Sequence, residues 1–524
     1  MAFAVRAREH INETRDTNQY VPFLYSSQGL GTSTAENARA YFKNLKNLSK
    51  TFEWSDTSSE LIDRSFNKNR ADERKKWILD FETGKQIDQT KEIIPIHDFV
   101  DKELILFSRY DVERSIPSAV DGLKPSQRKV LYAAFKRNMT KDIKVAQFSG
   151  FVSETSAYHH GEVSLQGTIV GMAQNYVGSN NINFLVPSGQ FGSRLMGGKD
   201  SASARYIFTR LSPETRKIFP SVDDNLLKYL DDDGDQIEPE FYVPTIPTLL
   251  VNGASGIGTG FSTNIPSFKP KDIVNNVRRM ITGETPLAMT PWYKGFKGTV
   301  EETAPGVYVS KGVYEILGKT ATISELSIGS WTNDYKEFLE GLLEKKILTG
   351  FREKHTEENV LFEIDFAGTP DVTILKLETT IRTSNMHAFD ANGKIKKYDS
   401  PLDILEEWFG VRKRFYIKRK KFLLSDLTTR SIIAENKSRF IKIINDNELI
   451  VSKKSEKVLT EELKALNFYK VEGNFSYLLN MKISSMTTER VAELEKEAKK
   501  LREEVVILTA TSEMSMWLED LDAI

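Results

Sequence analysis

Two stretches in the last quarter of the chain have the residue spacing of long amphipathic helices. The first follows Ser400-Pro401, a pair typical of a helix start, and is predicted to end in the basic run 418–421. Its apolar residues at heptad spacing are Ile404, Trp408, Val411 and Phe415. The second repeats at steps of three and four, at Val491, Leu494, Ala498, Leu501, Val505 and Leu508. Together they predict an antiparallel arm with a small unit, about 441–485, at its far end. The pattern equally permits two ordinary helices of one bundle.

Length and composition limit the class of protein. At roughly one domain per 150 residues, 524 residues give three or four domains. The residues are 40% hydrophobic and 28% charged, and no apolar run approaches the roughly 18 residues that a membrane helix needs. The chain has no cysteine, which excludes disulfides and thiolate zinc sites. We expect an intracellular protein without a membrane partner.

Charge is unevenly distributed along the chain. The net charge is −1, but 112–217 holds 14 lysines and arginines against 7 aspartates and glutamates. Such a local excess attracts phosphates in a salt-dependent way. This favours DNA as a partner, and the alternative is a basic surface that faces an acidic neighbouring domain.

The basic region has the pattern of compact helices. Lys124-Pro125 opens one helix, whose apolar face is Val130, Leu131, Ala134 and Phe135 and whose predicted cationic face is Arg128, Lys129, Lys136 and Arg137. A second helix is predicted over 162–176, followed by a turn at 178–181. Two helices, a turn and short strands favour a winged-helix variant of helix-turn-helix.

The flanking regions are predicted more coarsely. Before residue 95 we expect a leading piece, with a glycine turn at 29–34 before a helix over 35–45 and a charged helix near 67–81. Beyond residue 241 the pattern is α+β, with apolar strands at 248–251 and 298–309 and a helix at 273–281.

The stretch 197–208 carries the residues best suited to chemistry. It begins with two glycines, continues through small residues, and ends in Arg205 and Tyr206. Small side chains let a bulky polymer approach the backbone, and a guanidinium can hold a phosphate beside a phenol. Because phenols ionise near pH ~10, Tyr206 needs cations or a base beside it to act as a nucleophile. The arrangement suits attack on a phosphodiester.

Three other motifs resemble cofactor or metal sites but are interpreted differently. The glycine-rich run 251–261 has the wrong spacing for a dinucleotide loop, so we interpret Ile257 as a wedge between bases or, alternatively, as part of a strand-turn packing site. The acidic run 231–235 is interpreted as a solvated turn rather than a calcium loop. Adjacent His159 and His160 make a poor metal site, and a phosphate contact is the better expectation. We predict no metal site in this chain.

The order of these motifs resembles the breakage-reunion region of type IIA DNA topoisomerases, in its eukaryotic and viral version. The resemblance runs from about Tyr25 to Met481. The matching stretches are 108–111, 113–130, 157–162, 178–181, 189–192, 197–208, 238–244 and 252–254.

The resemblance implies roles for individual residues. Tyr206 would be the nucleophile that forms a 5′-phosphotyrosyl link, with Arg205 steadying the phosphate. The DNA-binding positions would be Arg114, Lys124, Arg128, His160, Lys199 and the intercalating Ile257. The substrate would be double-stranded DNA, cut in both strands so that a second duplex passes through the break.

The resemblance also implies a multidomain α+β fold. Residues 1–95 would be the C-terminal remnant of a toprim domain with a linker, and 96–245 a winged-helix domain. Residues 246–400 would be an α/β tower domain, and 401–524 a long antiparallel coiled-coil arm with the exit gate of a homodimer. The protein would be DNA-associated, in a nucleus or in the cytoplasm of a virus-infected or bacterial host cell.

Two parts of the family pattern do not appear in the sequence. The acidic toprim motifs and the ATP-binding domain do not precede Tyr25, so Mg²⁺ would be held by toprim acids outside this chain and ATP by a separate domain or subunit. The partner would be an ATPase-toprim chain, or the sequence is part of a longer chain. An alternative function is a non-catalytic DNA-bending scaffold. A tyrosine recombinase would need an Arg-His-Arg set that the motif order does not support.

Overall fold

The computed structural model of the chain describes residues 34–45, 49–82, 84–88 and 90–524. The predicted glycine turn at 29–34 therefore lies outside the described residues except for Thr34. Thr34 caps the first helix, α1 (Ala35–Lys43), by accepting a hydrogen bond from the Asn37 amide at 3.1 Å. Within the described ranges, no helix is both long enough and apolar enough to cross a membrane.

The leading region is mainly helical and packs around Trp77. It contains a short parallel pair of strands, and a π-helical turn at Val100–Leu104 leads into the helix that begins at Ile105. Its elements are β1 (Thr51–Glu53), α2 (Ser58–Phe66), α3 (Ala71–Leu79), β2 (Ile93–Pro95), α4 (Ile96–Phe99) and α5 (Ile105–Ser115). The buried cluster also contains Phe261, which comes from far along the chain. This contact joins the leading region to the rest.

The next region is built on the predicted helix, α6 (Pro125–Lys136). Proline at its first turn and the Gln127 side chain, which accepts from the Lys124 amide at 2.9 Å, fix its start. The elements that follow are β3 (Ile143–Lys144), α7 (Val145–Thr155), α8 (Glu162–Ala173), β4 (Phe208–Thr209), α9 (Thr215–Ile218), β5 (Tyr229–Asp232) and β6 (Asp235–Pro239). Its helices share the largest apolar core of the molecule.

Two expected strands have a different structure. The run 248–251 is not a strand but a buried helix, α10 (Thr248–Asn252), which follows Pro247 and ends at Gly253 with φ +64°. A short apolar run bounded by proline and glycine fits either a buried strand or a buried helix, so the pattern alone did not separate the two. The run 298–309 is a hairpin rather than one strand, because the chain turns at Gly306.

The region after α10 combines antiparallel sheets with two helices. A three-stranded sheet has the strand order 378–382, 307–311, 299–304, and a four-stranded sheet has the order 313–317, 320–325, 362–366, 348–353. The elements are β7 (Ala254–Ile257), β8 (Ser262–Ile265), α11 (Pro270–Ile281), β9 (Thr299–Ala304), β10 (Val307–Lys311), β11 (Val313–Leu317), β12 (Thr320–Glu325), α12 (Thr332–Glu344), β13 (Leu348–Glu353), β14 (Phe362–Phe366), β15 (Glu378–Arg382), β16 (Met386–Phe389) and β17 (Ile395–Tyr398). The four-stranded sheet and α12 enclose their own core.

One helix of 45 residues, α13 (Pro401–Asn445), dominates the last region. Ser400 and Asp403 form its capping box. The expectation that it ends near 418–421 is wrong, because the helix continues to Asn445 and its second half packs Ala434 and Ile441 against a later helix. It is followed by α14 (Glu456–Ala465), α15 (Ser476–Leu479), α16 (Thr488–Ala510) and α17 (Glu513–Asp522).

Helices α13 and α16 lie antiparallel. Lys420 of α13 donates to the Thr509 carbonyl, Ser431 lies against Ala498, and Lys442 pairs with Glu495 at 2.6 Å. Between the two helices, the chain forms a small unit with its own buried cluster, Phe440, Leu449, Leu463, Phe468, Phe475 and Leu478.

The base of α13 is anchored by buried charges and rings. Arg412 and Arg419 both donate to Asp223 at 2.6 Å. On α17, Trp517 stacks on Tyr416 with ring centres 5.1 Å apart. The long helix is therefore continuous with the main core at one end and carries the small unit at the other.

Candidate nucleic-acid interface

The segment 197–208, called here the Tyr206 loop, presents two exposed side chains between two buried ones. Ala204 and Ile207 are buried, while Arg205 and Tyr206 are exposed, Tyr206 to 70%. The Arg205 guanidinium carbon lies 5.7 Å from the centre of the Tyr206 ring. The loop thus places a phenol and a cation side by side, facing outward.

Backbone hydrogen bonds hold this loop against the start of α7. The Val145 amide donates to the Ile207 carbonyl at 3.0 Å, and the Ala146 amide donates to the Ala204 carbonyl at 3.1 Å. Amides in the first turn of a helix have no partner within the helix, so the loop supplies acceptors that they need. The Tyr206 backbone is therefore fixed while its ring stays accessible.

The glycines that open the loop are required by close packing. Gly197 and Gly198 have φ of +59° and +82°. A Cβ on Gly197 would lie 2.5 Å from the Trp331 indole, and one on Gly198 would lie 2.4 Å from the Gln174 amide nitrogen. Larger residues would displace the start of the loop.

The glycine-rich run forms a hairpin of β7 and β8, the Ile257 hairpin (residues 254–265), with Ile257 next to its turn and 86% exposed. A Cβ on Gly256 would lie 2.0 Å from the Ser115 carbonyl oxygen, at the end of α5. Asp111 of α5 accepts from the Thr259 amide at 2.9 Å and from its hydroxyl at 3.0 Å. The hairpin is therefore clamped to α5 with an apolar side chain projecting from it.

Three predicted DNA-binding residues lie around this hairpin and α5. Lys124 donates to the Ser255 carbonyl at 2.8 Å, and burial lowers its pKa. Arg114 is half exposed and lies 3.5 Å from Asp111. His160 contacts the Tyr110 hydroxyl, and its pKa is lowered by burial first and then by Arg114 and other nearby cations. The structure brings Arg114, Lys124, His160 and Ile257 into one surface.

Arg128 does not belong to this surface. It is buried, and it donates through Nε and Nη2 to Asp121 at 2.7 and 3.0 Å. Its neighbour Lys129 pairs with Glu238 at 2.9 Å. The expectation of an exposed cationic face at these two positions is therefore wrong, because acidic residues from outside α6 cover it. Lys199 is exposed on the Tyr206 loop.

The comparisons with known proteins agree with the motif order. The profile of the DNA gyrase/topoisomerase IV family matches residues 114–522, and that of the C-terminal associated domain of TOPRIM matches 7–112. The chain belongs to the type IIA DNA topoisomerase family. Among relatives, DNA topoisomerase 2 of Arabidopsis thaliana is 44% identical over 95% of this chain, and that of Plasmodium falciparum is 44% identical over 95%.

A solved structure supports the same family. The DNA-binding, cleavage and re-ligation domain of Plasmodium falciparum topoisomerase II superposes with a TM-score of 0.82 at 43% identity, covering 95% of this chain and 73% of that one. The chain spans 38% and 39% of the length of the Arabidopsis and Plasmodium relatives. It therefore corresponds to a part of those type IIA topoisomerases.

The two groups of predicted site residues in this topoisomerase chain lie on different elements. Within the described part, Tyr206 makes no hydrogen bond or ring contact with Arg114, Lys124 or His160. Asp111 was not singled out from the sequence, although it positions both Thr259 and Arg114. The role of Asp111 becomes visible only through its contact with Thr259, which is 148 residues away, and no local sequence pattern predicts that contact.

The histidines and the acidic run do not form a metal centre. In the ranges that the structure describes, no group of three histidine, cysteine, aspartate or glutamate side chains could hold a metal ion. The run 231–235 is the turn of the β5–β6 hairpin, with Asp233 and Gly234 at positive φ. His159 lies 3.5 Å from Asp232 of that hairpin.

Proposed function

We propose that this chain is the breakage-reunion part of a type IIA topoisomerase, with Tyr206 as its nucleophile. The observation that carries the proposal is an exposed phenol beside an exposed guanidinium on a loop whose backbone is fixed by α7. An interior tyrosine could not reach a duplex. A freely moving tyrosine would lose the rate advantage that comes from holding its hydroxyl in position against the phosphate.

The proposed step is a transesterification. The Tyr206 Oη attacks a backbone phosphorus, a bond from phosphorus to the phenolic oxygen forms, and the bond to the 3′ oxygen breaks. The phenol proton is lost and the 3′ oxygen leaves as a hydroxyl, so the strand ends in a 5′-phosphotyrosyl link. Arg205 offsets the charge that develops on the phosphate oxygens. Because the bond energy is kept, the reverse attack by the 3′ hydroxyl reseals the strand.

The Ile257 hairpin and its cations are proposed to bend the cleaved duplex. An apolar side chain inserted between base pairs unstacks them at a cost of about a few kcal/mol per step, which the new contacts offset. Arg114, Lys124 and His160 lie where they could meet the phosphates next to the wedge. Lys199 would add a phosphate contact on the Tyr206 loop.

Magnesium and ATP are proposed to be bound elsewhere. The described residues do not fit the Mg²⁺ site that the family implies. The ion would be bound by toprim acids outside this chain, and ATP by a further domain or polypeptide. The assembly would be a DNA-associated homodimer inside the cell. In this assignment 96–245 is the winged-helix domain, 246–400 the tower, and 401–524 the arm with the exit gate, whose tip is the small unit after α13.

The test is covalent trapping. The chain is incubated with supercoiled DNA and Mg²⁺, with and without an ATPase-toprim polypeptide of a relative, and denatured with detergent. We expect a protein-linked DNA adduct that Tyr206→Phe lowers at least about a thousandfold, with DNA affinity within about twofold. Tyr314→Phe removes an exposed phenol of β11, in the four-stranded sheet, and serves as the control.

A persistent adduct with Tyr206→Phe would disprove the assignment of the nucleophile. Absence of adduct in every mixture, together with normal bending of a short duplex, would favour the non-catalytic scaffold.

A further inference from the structure

The exposed side of α13 near its base carries an unusual concentration of positive charge. The ten residues 412–421 contain seven lysines and arginines and no acidic residue. Their side chains divide into two sets by burial. Arg412 and Arg419 are buried and Lys420 is partly buried, whereas the exposed cations are Lys413, Arg414, Lys418 and Lys421.

The inward set is neutralised by acidic partners. Arg412 and Arg419 share Asp223 and Asp520, and Lys420 lies 3.6 Å from Glu513. These pairs attach α13 to the core, so their charges are accounted for by the fold. Their substitution would damage the structure rather than test a surface.

The outward set, called here the arm stripe (Lys413, Arg414, Lys418 and Lys421), has no such partners. Over the residues that the structure describes, no carboxylate lies within 4 Å of any of the four, although acidic groups pair with cations on either side of the stripe, at Lys396–Glu407 and Arg430–Asp426. The fold therefore leaves four like charges together, at a cost in self-repulsion.

The geometry of the stripe suits an extended anion. With 1.5 Å per residue, residues 413 to 421 span about 12 Å of helix. Helical spacing places the four cations on one side, with Ile417 among them and 53% exposed. A single duplex strand carries one phosphate per 3.4 Å of axis, so about 12 Å faces three or four of them.

We propose that the arm stripe is a further DNA-binding surface, which holds the phosphate backbone of duplex DNA without reading its sequence. It rests on the proposed function only in taking duplex DNA as the substrate. It differs from the surface at Ile257, because it lies on α13, whose buried face packs on Asp223 and Trp517. Lysines and arginines without base-reading amides fit backbone contact.

The test compares two variants of equal charge. In one, Lys413, Arg414, Lys418 and Lys421 are replaced by glutamine. In the control, four exposed lysines elsewhere are also replaced by glutamine: Lys457, Lys482, Lys496 and Lys499. Both are made in the full chain with Tyr206→Phe, so that binding is measured without cleavage. The affinity for a 40-base-pair duplex is followed by fluorescence anisotropy over a range of KCl concentrations.

We expect the stripe variant to bind at least about tenfold more weakly at low salt and its log–log salt slope to fall by about three to four, since each phosphate contact contributes about 0.9. The control should change the slope by less than about one. Equal losses in the two variants, or none in the stripe variant, would overturn the proposal.

A second measurement protects the test from misfolding and from another occupant. With a photoreactive phenylalanine derivative at Ile417, irradiation should cross-link the chain to the duplex, and excess unlabelled duplex should abolish the product. Cross-linking to a second copy of the chain instead, with a shift towards monomer when the stripe is neutralised, would assign the stripe to an acidic protein surface and overturn the proposal. If covalent trapping fails with the chain that keeps Tyr206, the proposed cleavage is in doubt, but these binding measurements still test the arm stripe independently.

Discussion

The Tyr206 loop and the Ile257 hairpin both expose one side chain on a fixed backbone, but they are fixed in different ways. The residues beside Arg205 and Tyr206, Ala204 and Ile207, bury their side chains and accept hydrogen bonds from α7. The hairpin instead rests on α5 through Gly256, which has no side chain, and through one carboxylate, Asp111. Next to its exposed residues, the Tyr206 loop thus relies on buried side chains, whereas the hairpin relies on a glycine directly beside Ile257.

This difference follows from what each segment is proposed to do. A nucleophile needs a precise position, and the burial of Ala204 and Ile207 on either side of the exposed pair Arg205 and Tyr206 provides it. A wedge needs support directly behind it, and only glycine lets the backbone of the hairpin touch the end of α5. We therefore expect the two segments to respond to opposite kinds of substitution.

The largest expected effect comes from Gly256→Ala. The added Cβ would lie 2.0 Å from the Ser115 carbonyl oxygen, so the hairpin or the end of α5 must move. We expect the free energy of unfolding to fall by about 3 kcal/mol, as for other overpacked sites. Urea denaturation measures it. Gly341→Ala, within α12 where nothing lies within 4 Å, should instead gain up to about 1 kcal/mol.

The next effect concerns Asp111. Asp111→Ala leaves the Thr259 amide and hydroxyl without their acceptor, and we expect a loss of about 2 kcal/mol of unfolding free energy. Thr259→Val removes the hydroxyl alone and should cost less, and a double-mutant cycle should show coupling between the two positions. Independent, additive losses would mean that Asp111 does not clamp the hairpin.

Features that depend on neighbouring residues could be predicted from the sequence, and features that depend on distant residues could not. The start of α6 and the cap at Ser400 depend on residues within four positions, so local patterns predicted them. Arg128 lies on the polar side of α6, and its burial depends on Asp121, which a helical pattern does not include.

The same reason applies to the hairpin and to the long helix. Exposure of Ile257 was a hypothesis from glycine spacing, but the Gly256 contact with Ser115 requires the tertiary structure. The heptad positions of α13 were predicted, whereas its extension to Asn445 depends on packing of Ala434 and Ile441 with α16. Interactions between distant segments are the part that the sequence does not show.

A smaller effect is expected for Ile257→Ala. Since the side chain is 86% exposed, the unfolding free energy should change by less than about 0.5 kcal/mol. Fluorescence transfer between the ends of a short duplex should show less bending, and adduct on intact DNA should fall roughly tenfold, because a methyl group cannot fill the gap between bases.

The chain offers a matched control for this wedge. Leu317 is 87% exposed at the end of β11, so Leu317→Ala removes similar apolar surface from another hairpin and should leave bending unchanged. A nicked duplex, which bends easily, should restore cleavage by Ile257→Ala. Full bending of intact DNA by the variant would make Ile257 only a packing residue of the hairpin.

The smallest effect tests the electrostatics around the hairpin. The pKa of His160 is lowered from 6.5 by burial and by the cations Arg114, His159 and Lys129, while the Tyr110 hydroxyl contacts its ring. As pH falls below 6.5, the unfolded chain takes up a proton at this residue that the folded chain does not, so stability is lost. Above that pH the residue is neutral in both states and has no such effect.

His160→Gln should therefore make the decline in unfolding free energy between pH 6.5 and 5.5 shallower than in the parent, with no difference in slope above pH 7. His97→Gln, an exposed histidine of α4, controls for the loss of any histidine. The exposed residues of the Tyr206 loop provide a second control. Variants of Arg205 and Tyr206, denatured at one fixed pH, should have the same unfolding free energy as the parent. Equal pH slopes for the parent and His160→Gln would show that burial and the surrounding cations do not disfavour protonation of His160 in the folded chain.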